Sequence, residues 1–139
     1  MQQDTRLARL LHVLLHMQLR GGSTTSETIA QMLHTNPSLV RRTMACLRDA
    51  GYVKAERGPG GGWHLSCSLS EVTVKDVHNT LPRTNVFTFG PAQDNPACPV
   101  EAAVNAHLNA AMEEAESTLL RIMGGTSLAD LVKKMGPPL

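Results

Sequence analysis

Aromatic residues are nearly missing from this chain: two Phe, one Tyr and one Trp make up 3% of its 139 residues. β-Sandwich cores lean on aromatic and β-branched side chains, so this scarcity argues against one. The 42% of residues that are apolar, mostly Leu, Ala, Val and Met, favour helix packed on helix. Cysteine is scarce too. Cys46, Cys67 and Cys98 are odd in number and widely spaced, which excludes a disulfide framework and a zinc site of CxxC type. No apolar run approaches the roughly 18 residues of a membrane span. The first twenty residues are broken by Arg and His, unlike a secretory leader. The expectation is a soluble cytoplasmic protein with reduced thiols. One-signed charge is also lacking: a net charge of +1 excludes a general basic coat. The length suits one domain, or one small domain with an extension.

The charge that is present is unevenly placed. Residues 1–66 carry eight Lys and Arg against four Asp and Glu, whereas residues 67–139 carry five against eight. A basic half joined to an acidic half suggests that only the first meets a polyanion.

Helical spacing of Leu7, Leu10, Leu11, Leu14, Leu15 and Leu19 predicts a first helix from an Asp4 cap to about Arg20, ended by Gly21-Gly22. Thr24-Thr25-Ser26-Glu27 reads as a capping box, with Thr24 and Glu27 reciprocating, before a short helix carrying Ile29, Ala30, Met32 and Leu33. Asn36-Pro37 reads as the N-cap and first residue of a third helix, because proline has no N–H to waste there. That helix runs to about Ala50, with Leu39, Val40, Thr43, Met44 and Leu47 inward or semi-buried and Gly51 after its end. Two helices joined by His34-Thr35-Asn36 make a helix-turn-helix candidate. Tyr52–Arg57 and Trp63–Ser66 read as strands around the turn Gly58-Pro59-Gly60-Gly61-Gly62. The fold class read from this order is mainly α with a small β-hairpin, a winged helix-turn-helix.

Past the wing, Ser70-Glu71-Val72 leads into a short helix through Leu81, and residues 82–97 read as a loop. Cys98-Pro99 opens a helix to about Met123, some 24 residues and about 36 Å long. Val100, Ala103, Val104, Leu108, Ala111, Met112, Ala115, Leu119 and Ile122 make its apolar stripe. A chain this small has no second layer long enough to cover that stripe, so a second copy laid against it as in a coiled coil is the simplest cover. Gly124-Gly125 ends the helix, and Thr126-Ser127 caps a last one over Leu128–Met135. Three segments follow: 1–66 as the winged domain, 67–97 as linker, and 98–139 as dimerisation helix plus C-terminal helix.

Several motifs in this order resemble a known family. They are Thr25-Ser26-Glu27-Thr28-Ile29-Ala30, Asn36-Pro37 through Arg41-Arg42, Leu47-Arg48-Asp49-Ala50-Gly51-Tyr52-Val53, and Arg57-Gly58-Pro59-Gly60-Gly61-Gly62-Trp63-His64-Leu65. Together they resemble the Rrf-two (Rrf2) family of bacterial winged-helix regulators, as does the tail Thr126-Ser127-Leu128-Ala129-Asp130-Leu131-Val132. The resemblance implies a homodimeric transcription factor, usually a repressor, bound to a palindromic operator in double-stranded DNA. Its long helix would pair the subunits, its third helix would enter the major groove and its wing the minor groove. Cluster-binding members carry three cysteines between the mid-chain loop and the start of the long helix. Only Cys98 stands there in this chain, so the resemblance is to the cluster-free branch and no iron–sulfur cofactor is expected.

In a helix-turn-helix the first turns of the second helix meet base edges, which selects Thr35, Ser38, Arg41, Arg42 and Thr43. Arg binds guanine bidentately or clamps phosphate. Ser26, near a helix N-terminus, is placed to help hold a phosphate. Arg57 with Gly58, Gly60 and Gly61 suits a wing tip, where glycine lets backbone approach closely, and His64 follows on the returning strand. Trp63 reads as packing. A nucleotide-phosphate loop would need a helix after the glycines, and a strand follows instead. Cys98, at the N-cap of the long helix, is the sensor candidate, since helix-end N–H groups favour thiolate; Glu101 one turn on opposes that and offers a plain capping role. His12 and His16, four apart, are too few for a metal. The rival reading is an interaction or dimerisation module without DNA binding; no constellation for an enzyme is present.

Overall fold

The computed structural model describes residues 3–59, 61–82 and 86–135. The first helix, α1, spans Arg6–Arg20. Thr5 occupies its N-cap without a side-chain bond, and the capping interaction comes from Asp4, whose Oδ1 accepts the Arg6 N–H at 3.0 Å. The Arg6 guanidinium also donates to this carboxylate, and the pair holds its pKa down at about 2. The buried face is Leu10, Val13, Leu14 and Met17, with Leu7, Leu11 and Leu15 flanking it. Leu19 does not join the core and is 51% exposed. At about 100° per residue, nine steps carry it half a turn round from Leu10.

The second helix, α2 (Ser26–Leu33), begins one residue later than the sequence suggests. Its N-cap is Thr25, whose Oγ1 accepts the Thr28 N–H at 3.2 Å. Thr24 is fully buried and does not cap. Its backbone exchanges two hydrogen bonds with Trp63, at 2.9 and 2.8 Å, so it adds a one-residue third strand to the hairpin. After α2, His34 adopts a left-handed conformation (φ 49°) that turns the chain into α3 (Pro37–Asp49), where Asn36 Oδ1 accepts the Leu39 N–H at 3.0 Å. Strands β1 (Val53–Glu56) and β2 (Gly62–Leu65) form the antiparallel wing, pairing Val53 with Leu65 and Glu56 with Gly62.

The chain then makes α4 (Val74–His78), the long α5 (Pro99–Gly124) and α6 (Leu128–Lys134). Thr73 and Ser127 each head a capping box, with Asp76 and Asp130 reciprocating at 2.9–3.0 Å, and the two caps form an antiparallel bridge. Hydrogen bonds from the Ser127 backbone and hydroxyl lower the Asp130 pKa. The Leu128 N–H donates to Val72 O at 2.8 Å, and its side chain is completely buried with Leu14, Ile29, Met44 and Val77. The sequence groups α6 with the long helix in residues 98–139; in the structure Leu128 of α6 belongs to the buried cluster that holds side chains of α1, α2 and α3. No residue of α5 is buried, and no helix among the described residues is long and apolar enough to cross a membrane.

Candidate nucleic-acid interface

The α3 helix sorts its residues by face. Val40, Thr43, Met44 and Leu47 point into the core, while Ser38, Arg41 and Arg42 are exposed on the other side. Among the described residues neither Arg41, Arg42 nor Arg57 has a salt-bridge partner, whereas Arg48 lies 3.4 Å from Asp49. Two unpaired guanidiniums thus project beside Ser38 from the first turns after the helix-turn-helix link, where half-buried Thr35 sits. Thr43 is a correction to the predicted contact set. It is 6% exposed, and its hydroxyl donates to Leu39 O at 2.8 Å, so it is neither turned outward nor free to bond a base.

The wing places Arg57 and Gly58 at its exposed tip; Gly60 lies outside the described residues. Gly58 has φ +92°, and the Gly61 N–H closes the turn on Gly58 O at 2.8 Å. A Cβ on Gly61 would run into the carbonyl oxygens of Glu56 and Gly58, so only glycine fits. Gly61→Ala is expected to strain the turn by about 1–3 kcal/mol. The measurable result is a lower melting temperature together with weaker DNA retention, read by thermal denaturation and fluorescence anisotropy. An unchanged melting temperature would show that the turn relaxes freely.

His64 is turned across the hairpin, its Nε2 3.3 Å from Glu56 Oε2, which leaves it less available than Arg57. Ser26 is exposed but engaged: its Oγ accepts the Trp63 indole N–H at 3.2 Å. Trp63 therefore fastens the wing to the start of α2 twice, through its backbone at Thr24 and its side chain at Ser26. The sequence reading placed Trp63 in packing and missed this link, because either partner alone gives no local signal.

Cys98 stands at the N-cap of α5, half-buried, with no side-chain capping bond; its N–H donates to Asn95 O at 3.0 Å. Glu101 does not complete that cap. Its Oε2 accepts the Asn95 N–H at 2.8 Å, reaching the loop instead. Asn105, one turn further, bonds both the N–H and the carbonyl of Ala92, at 3.0 and 2.8 Å. Cys46 lies against Thr80 and Cys67 against Tyr52 O, and burial pushes the Cys67 thiol pKa up.

Residues 3–134 match the family described as "Rrf2: Iron-dependent Transcriptional regulator". YwnA of Bacillus subtilis (strain 168), provisionally named an HTH-type transcriptional regulator, is 24% identical over 132 residues, covering 95% of this chain and 98% of its own. Among solved structures, T. potens IscR superposes with a TM-score of 0.67 at 20% identity over 99% of this chain and 94% of its own. Staphylococcus aureus CymR superposes with a TM-score of 0.70 at 17% identity over 96% and 100%. These are regulators rather than enzymes, and the structural likeness shows the winged-helix fold with its long C-terminal helix. The iron named in the family description finds no matching three-cysteine donor set in this chain. The three thiols sit on separate elements, and no group of three His, Cys, Asp or Glu among the described residues is placed to hold a metal.

Proposed function

Because the chain belongs to the Rrf2 family of transcriptional regulators, we propose that it works as a homodimeric repressor that reads a palindromic operator with α3 and its wing, and that Cys98 is its thiol sensor. The observation that carries the dimer is α5: it has no buried residue, and Val100, Val104 and Ile122 are 70%, 52% and 59% exposed. With Ala111 and Ala115 they form one narrow seam along a rod of about 39 Å, the length 26 residues give. A two-fold axis through that seam brings two α3 helices to face half-sites roughly 34 Å apart. Thr35, Ser38, Arg41 and Arg42 are assigned to the major groove, Arg57 with Gly58, Gly60 and Gly61 to the minor groove, and Ser26 to a neighbouring phosphate. For the sensor, Cys98 lies where the loop meets α5. Peroxide would oxidise its thiolate to sulfenate with release of water, adding a polar oxygen at the junction held by Glu101 and Asn105.

The test is selection of bound duplexes from a genomic pool at two salt concentrations. A palindrome bound with steep salt dependence supports the reading, since phosphate contacts release counterions. No enrichment would favour an interaction module that does not bind DNA. Val104→Glu with Ile122→Glu is expected to halve the mass measured by light scattering and to weaken operator affinity about a hundredfold, with helical content retained; a persistent dimer would refute the seam. Cys98→Ser should bind the operator as the native protein does and lose its response to peroxide. A mutant that still responds would exclude Cys98 as sensor.

A further inference from the structure

Half of the chain's four aromatic side chains take no part in the core. Phe87 and Phe89 lie together in the segment before α5, ring centroids 5.6 Å apart and planes tilted 45°, with Phe89 59% exposed. They wall an open groove of about 310 Å³ against α5, where Met112 supplies further apolar surface and Glu113 and Glu116 supply charge. Among the described residues no cationic side chain lines the groove, and neither carboxylate has an ion-pair or hydrogen-bond partner. Met112, Glu113 and Glu116 sit about 80–180° round the helix from the centre of the Val104–Ile122 seam, at 100° per residue, so pairing through α5 leaves the groove open.

Exposed aromatic rings beside unpaired carboxylates have one complementary ligand chemistry. Ring faces attract a cation through their quadrupole, and the effect grows when the charge is partly desolvated. The carboxylates add direct attraction and repel anions, while the apolar walls favour a body without strong hydration. We propose that this groove binds a lipophilic organic cation, its charge met by Glu113 and Glu116 and its apolar body laid on Phe87, Phe89 and Met112. The site is independent of the DNA-binding reading, because occupancy is measured without DNA.

Calorimetric titration of the full chain with tetraphenylphosphonium and with tetraphenylborate, two ions of one shape and opposite charge, tests it. The phosphonium is expected to bind once per chain and the borate at least about tenfold more weakly. Glu113→Gln with Glu116→Gln removes that preference, and Phe89→Ala weakens phosphonium binding about tenfold without altering the assembly mass. All three changed side chains are exposed or half-exposed, so both variants should fold. Equal binding of the two ions, or phosphonium binding unaffected in either variant, overturns the proposal. So does a change of mass in Phe89→Ala, which would mean that a second copy covers the groove.

Discussion

Substituting Arg41 and Arg42 together by alanine is expected to lower affinity for a selected operator by at least about a hundredfold while leaving assembly mass and melting temperature at native values. Each guanidinium that reads a guanine edge contributes about 1–3 kcal/mol of discrimination, and about 1.4 kcal/mol is a factor of ten in affinity. The structure makes the pair separable from stability: both side chains are exposed, and neither has an acidic partner among the described residues. Single substitutions then divide the roles. Loss of a base reader relaxes preference at one position, whereas loss of a phosphate contact weakens all sequences alike and lowers the salt slope by about one. Arg48→Ala is the internal control, because Arg48 already lies beside Asp49 and away from the helix start. Anisotropy titrations at several salt concentrations read all of these, and unchanged affinity in the double variant would remove α3 from the interface.

The second large effect concerns stability. Leu128→Ala is expected to destabilise the fold by about 2–5 kcal/mol, the range for a large-to-small change at a filled core site. That is a major part of the roughly 5–15 kcal/mol typical of a domain. For a chain of this size it lowers the melting temperature on the order of 10 °C. Leu128 is 0% exposed and belongs to one buried cluster with side chains of α1, α2, α3 and α4, so the cavity would open in that shared core although the residue lies near the other end of the chain. Leu19→Ala, at a side chain 51% exposed, should change the melting temperature little. If both variants melt alike, the return of α6 into the core is not what holds the domain together. Thermal denaturation followed by circular dichroism gives the comparison.

Signals local to a few residues were legible in the sequence. Asn36 and Pro37 mark the start of α3 by the donors they satisfy or lack, and the glycines around Pro59 mark the wing turn because few other residues fit its backbone. The long helix and its unmatched apolar stripe followed from spacing alone. What escaped depends on partners far along the chain. Thr24, Thr25 and Ser26 are all competent caps; Thr25 takes the role, while Thr24 pairs with Trp63 across the chain. Thr43 looks available on a basic helix, yet its angle puts it with Leu47, and the Leu39 carbonyl satisfies its hydroxyl. In α1 the leucine spacing marks the helix, but its buried side also takes in Val13 and Met17 beside Leu10 and Leu14 and leaves Leu19 outside. Thr73 gave no cue that its cap would bridge to Ser127, since that bridge exists only once α6 has folded back.

The indole of Trp63 has one more consequence. It is the chain's single tryptophan, and it is placed where the wing meets the start of α2, with its N–H on Ser26. Red-edge excitation therefore reports from that joint alone, with no background from other indoles. A duplex that displaces the wing or takes over the Ser26 hydroxyl shifts the emission, so the protein carries its own optical gauge of operator engagement and needs no attached dye.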